Sequence, residues 1–126
     1  MKIFGSALSC LVIVVAAWAY GGPPLQQAPA NSAKLSNPLE GNEQARRAGA
    51  KLYARECAAC HGRNREGHGK APSLNRAEVY QASPGVLFWV LRNGSLYRGM
   101  PSFAHLPEPQ RWQIICYLRT SKDSEK

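Results

Sequence analysis

The chain has 126 residues and a formal charge of +8. That length suits one domain around one modest core and argues against two independent cores. The charge is compatible with nucleic acid, an anionic membrane or an acidic protein as partner, and by itself selects none of them.

In chain order, the first element is a targeting segment. Lys2 makes a short positive head, Leu8 to Ala17 an apolar stretch, and Ala17-Trp18-Ala19 a small-x-small cleavage site. Residues 1–19 are therefore expected to be a signal peptide, which would take Cys10 with it. The other reading is an uncleaved membrane anchor, but the run from Ile3 to Tyr20 is interrupted by Gly5, Ser6 and Ser9 and is short for a span of ~20 residues. Export disfavours nucleic acid as a partner and places Cys57 and Cys60 in an oxidising compartment, where idle thiols are rare.

Residues 20–41, "YGGPPLQQAPANSAKLSNPLEG", are rich in Gly, Pro and small polar residues and are expected to form a flexible linker. The folded domain is expected over 42–121, with 122–126 as a polar tail. Asn42 is placed to cap a helix through "EQARRAGAKLYAREC", in which Ala45, Ala48, Gly49, Leu52, Tyr53 and Glu56 keep helical rhythm. Arg46, Arg47, Lys51 and Arg55 fall largely on other faces. The polar stretch "GRNREGHGKAPSLN" reads as a loop. In "SPGVLFWVLRNG", Ser83 is the N-cap, Pro84 opens the first turn and Gly94 is the stop. A loop containing "RGMPSF" leads to a last helix in "PEPQRWQIICYLRTS". No stretch alternates as a strand does, so the fold class is all-α, with short helices and long loops. Such a chain has few side chains for a core, and something else is expected at its centre.

The segment "ECAACHG" supplies a candidate. A structural zinc site needs four ligands, and the remaining His68, His105 and Cys116 are scattered singly. A thioredoxin-like dithiol follows a strand, and none is evident here. Cys-x-x-Cys-His is the signature of covalent haem attachment: Cys57 and Cys60, about one helical turn apart, can add to two haem vinyl groups, and His61 falls beside the iron. The sixth ligand is expected to be Met100, the one methionine besides Met1, set in a loop between Gly99 and Pro101. His105 and then His68 are its rivals. Cys116 reads as a small buried hydrophobe, and Trp89 and Trp112 as packing residues. Arg76, Arg92 and Arg98 are candidates for haem propionates, with a solvated surface role at least as good a reading for each.

From about Asn42 to Ser121 the sequence resembles a class I c-type cytochrome of the short bacterial monohaem kind. Gly49 and Tyr53 stand eight and four residues before Cys57, as that family's first-helix glycine and aromatic do. The resemblance implies that they meet Ile114 and Tyr117 of the last helix. It also implies that Pro72 in "KAPSL" accepts a hydrogen bond from the proximal histidine, and that "RGMPSF" carries the distal methionine. The expected function is then a periplasmic one-electron carrier, an electron-transfer protein and not an enzyme, with one covalent haem c. Its partners are expected to be redox proteins with acidic docking surfaces, and membrane contact only through them or through an uncleaved signal. The alternatives are a subunit docked permanently on a periplasmic dehydrogenase or oxidase, and a small haem enzyme with an open distal site.

Overall fold

The structure is a computed structural model, described here for residues 23–120. The expected signal peptide and the polar tail lie outside the described residues. Among the described residues there is no strand, only the isolated bridges His68–Ala71 and Ser95–Met100. The helices are α1 (Pro24–Gln27), α2 (Glu43–Glu56), α3 (Ala58–His61), α4 (Ala77–Gln81), α5 (Pro84–Asn93) and α6 (Glu108–Leu118), with 3-10 turns at Ala30–Lys34 and Leu96–Arg98. The fold is all-α, as the sequence implies.

Helix α2 starts where Asn42 Oδ1 accepts the Ala45 amide at 3.0 Å. Glu43 in its first turn takes Arg46 at 2.7 Å and Arg47 at 3.0 Å, and these guanidiniums hold its carboxyl down at about 2. Part of the basic face expected on this helix is thus neutralised locally, and Arg55 likewise pairs with Glu56. The opposite face buries Ala45, Gly49, Leu52 and Tyr53 against α6. Gly49 is the point of closest approach, since a Cβ there would stand 1.8 Å from the Gln113 carbonyl oxygen and 3.1 Å from the Ile114 nitrogen. Next to this crossing Ile114 and Ile115 are fully enclosed, and the Tyr53 and Tyr117 rings meet at 5.2 Å. Burying an isoleucine side chain contributes about 1.5–3 kcal/mol, so the pair Ile114 and Ile115 anchors this helix contact.

Helix α5 follows its sequence grammar closely. Ser83 Oγ accepts the Val86 amide at 3.4 Å, Pro84 stands in the first turn, and Gly94 ends the helix at φ +69°. Its Phe88 ring stacks on Trp112 of α6 at 4.1 Å, which makes Trp112 a core residue.

Three local expectations are corrected. The segment 20–41 is not a loose tether over its described part. Ser32 and Asn37 are buried, and Asn37 Nδ2 donates to the Trp112 carbonyl at 3.0 Å and to Cys116 Sγ at 3.2 Å. Gly85 makes room for it, because a Cβ there would lie 1.9 Å from the Ser32 carbonyl oxygen. Asn37, one of the polar residues that suggest a linker, is spent on the backbone of α6 instead of on water. Cys116 is more than a small hydrophobe: burial pushes its thiol up, so it stays protonated and donates to the Leu39 carbonyl at 3.2 Å. Finally, the helix carrying the cysteines is not continuous. It ends at Glu56, Cys57 departs to φ −119°, and α3 forms a separate turn that keeps the bonds from Cys60 N and His61 N to the Cys57 carbonyl, at 3.1 and 2.9 Å.

Candidate haem site

The break after α2 leaves the two thiols in different surroundings: Cys57 is buried and Cys60 exposed, and neither is in a disulfide. Desolvation by burial, with Glu56 next, pushes the Cys57 thiol up to about 12. A redox dithiol needs a stabilised thiolate, and Cys57 is held in the opposite state. Among the described residues no group of three or more His, Cys, Asp or Glu could hold a metal ion, so the zinc reading lacks its ligand set.

His61 ends α3, and its Nδ1 lies 2.9 Å from the Pro72 carbonyl oxygen. A carbonyl can only accept, so Nδ1 carries the proton and Nε2 keeps its lone pair for an electrophile such as a metal ion. The intervening loop is held at several points. The Tyr53 hydroxyl donates to the Gly62 carbonyl at 2.7 Å, the Gly67 amide to the His61 carbonyl at 2.7 Å, and the Leu74 amide to the Arg65 carbonyl at 2.8 Å. Gly67, at φ +84°, lets the strands of the loop close. A Cβ there would be 2.5 Å from the Ser73 nitrogen and 2.8 Å from the Pro72 carbonyl carbon.

Met100 comes from the turn after α5. The Ser95 amide donates to the Met100 carbonyl at 2.8 Å and the Met100 amide to the Ser95 carbonyl at 3.1 Å, closing a loop around Gly99 at φ +79°. Gly94 again admits no side chain, since its Cβ would lie 2.6 Å from the Met100 carbonyl oxygen. Met100 is half-buried and packs against the apolar cluster that contains Cys57, Leu91 and Phe103, as do Ala58 and Leu74. Cys57 and Met100 therefore share one apolar body. The rival candidates are exposed: His68, and His105 with its ring 5.9 Å from Phe103. Trp89 is half-buried; Arg92 and Arg98 are exposed, and Arg76 is exposed and paired with Glu78 at 2.9 Å.

Sequence reading missed two arginines that fix the loops around this site. Arg111 is buried, and its Nη1 donates to the carbonyls of Ala104, at 3.2 Å, and Leu106, with the guanidinium 4.8 Å above the Phe88 ring. Its place in step with Ile115 and Leu118 on α6 is a signal that could have found it. Arg65 is buried as well, at φ +62°, in a stretch where nothing in the sequence marks it.

A pair of unbridged thiols, an imidazole with one nitrogen committed to a carbonyl, and a thioether on the same apolar body make a donor set that fits haem iron and its vinyl groups. With the all-α fold, this is the arrangement of a class I c-type cytochrome. The family model described as "Cytochrome C oxidase, cbb3-type, subunit III" matches residues 44–118, and the chain belongs to that family. It is also 36% identical over 103 residues to the quinohemoprotein alcohol dehydrogenase ADH-IIG of Pseudomonas putida, an alignment covering 78% of this chain and 14% of the dehydrogenase. No solved structure matches. The function of the domain is haem-based electron transfer.

Proposed function

We propose that the chain is exported and carries one haem c, bound through thioethers from Cys57 and Cys60, with His61 and Met100 as axial ligands, and that it passes single electrons between redox proteins. The observation that carries this reading is the 2.9 Å contact of His61 Nδ1 with the Pro72 carbonyl, which leaves Nε2 as the ligating nitrogen. When bound, the haem supplies an iron that alternates between ferric and ferrous states. The chain sets how readily it does so. Donation from Nδ1 to Pro72 makes the His61 imidazole more basic, which favours ferric iron, while the Met100 thioether favours ferrous iron and raises the potential. With both axial positions filled, no place is left for a substrate.

The face around the Met100 loop suits docking. Leu96 and Tyr97 are 78% and 92% exposed, and from Val79 to Pro107 the chain has Arg92 and Arg98 but no Asp or Glu. An apolar patch with a cationic rim favours a partner with carboxylates around its own redox centre. A second reading, a cytochrome docked permanently on a dehydrogenase or oxidase, is favoured by the likeness to part of a much longer dehydrogenase and by the subunit description of the family.

Protein matured with the haem-attachment machinery tests the proposal. Haem is expected to stay with the polypeptide through denaturation and acid-acetone extraction, and to be released from the Cys57→Ser, Cys60→Ser double variant. The reduced spectrum is expected to be low-spin and unchanged by carbon monoxide. Extractable haem, or a spectrum that the gas alters, would count against the carrier. Recovery of the native protein alone or in stoichiometric complex from its own cells separates the free carrier from the docked subunit.

A further inference from the structure

The polar loop between His61 and Pro72 contains the most deeply buried cation in the described chain. Arg65 is 1% exposed, and its Nη1 donates to the Tyr117 carbonyl at 3.1 Å and the Thr120 carbonyl at 2.8 Å. The guanidinium lies 4.6 Å above the Tyr117 ring, which itself packs on Tyr53. The acceptors are carbonyls at and just past the end of α6, where the Tyr117 carbonyl also takes the Thr120 amide at 3.2 Å. A solvated lysine or arginine from α6 could serve them at little cost. Here the donor comes from another element, is fully desolvated, and sits at a positive φ that is unfavourable for a residue with a side chain.

The backbone of Arg65 shows what that arrangement achieves. Its carbonyl accepts the Leu74 amide at 2.8 Å and the Ser73 hydroxyl at 3.1 Å, so the residue grips the chain on the far side of Pro72. The side chain thus fastens to α6 the same residue whose backbone holds the Pro72 strand, and the Pro72 carbonyl faces His61 Nδ1. We propose that Arg65 is a positioning residue for the proximal ligand: it rivets the loop to the last helix and thereby keeps the Pro72 carbonyl on His61. The proposal rests on the reading of His61 as an axial ligand.

The test is the exchange of the His61 Nδ1 proton with deuterated water, followed by NMR in the ferrous, diamagnetic haem protein, in the parent, Arg65→Gln and Arg119→Gln. Arg119 ties the same end of α6 to Glu40 and makes no hydrogen bond to the described loop, so it controls for loss of stability. Under conditions where all three remain folded, Arg65→Gln is expected to exchange at least tenfold faster than Arg119→Gln. Equal rates in the two variants would overturn the proposal and leave Arg65 as a helix cap. Should Arg65→Gln fail to mature, Ser73→Ala removes one bond to the Arg65 carbonyl; exchange several times faster than the parent supports the proposal, and the parent rate overturns it. Absence from the parent spectrum of His61 ring signals shifted by the haem ring current would instead overturn the axial reading, and this proposal with it.

Discussion

At the scale of single residues, Met100 and His105 compete for one role, and their environments differ. Met100 is half-buried on the apolar cluster that includes Cys57, whereas His105 is exposed at the far end of the same loop. A thioether is a weak donor that stays on iron only where the protein holds it and keeps water out; in the proposed site the turn closed by the Ser95–Met100 hydrogen bonds would do the holding. Met100→Ala is therefore expected to lower the reduction potential and to let the ferrous protein bind carbon monoxide, while His105→Ala leaves both nearly unchanged. Potentiometry and gas-difference spectra on the two variants check this; the opposite pattern would assign the sixth position to His105. Pro72, His61 and Met100 were legible as motif positions. Arg65 was not, because a buried arginine in a polar loop looks like any solvated one until the carbonyls it serves are located.

Between elements, the crossing of α2 and α6 carries the architecture, and Gly49 permits it. A side chain at 49 would have to occupy the space of the Gln113 carbonyl, which is backbone within a helix and cannot rotate aside. Gly49→Ala is expected to push the helices apart and cost about 1–3 kcal/mol, read as a lowered denaturation midpoint of the haem protein. A midpoint equal to the parent's would show that the helices do not approach so closely. The helices themselves were legible, since Asn42, Ser83, Pro84 and Gly94 act locally and their effect depends on neighbours within four residues. The break at Cys57 and the short helix α4 were not, because single turns carry too few residues for a period to show.

For the whole molecule, charge and surface decide encounters. The formal charge is +8, and in the acid-free stretch from Val79 to Pro107 that carries the exposed Leu96 and Tyr97 the charged residues are Arg92 and Arg98. Attraction to a carboxylated surface is then expected to be screened as the Debye length falls from ~30 Å at 0.01 M salt to ~8 Å at 0.15 M. On a gold electrode bearing a carboxylate-terminated monolayer, adsorption and electron exchange should weaken across that range. Salt-independent behaviour would remove electrostatic docking from the account.

The amino-acid sequence alone determined the fold class and marked the candidate donors, because Cys-x-x-Cys-His, the lone internal methionine and the helix caps are short-range patterns whose chemistry is contained in a few adjacent residues. Tertiary structure alone decided that residues 30–41 belong to the domain, that Cys116 is a hydrogen-bond donor, and that Arg65 and Arg111 are interior. Each of these depends on backbone carbonyls or glycine-sized gaps tens of residues away. Such groups exist at every position of every sequence, and only the fold places them within reach of a side chain.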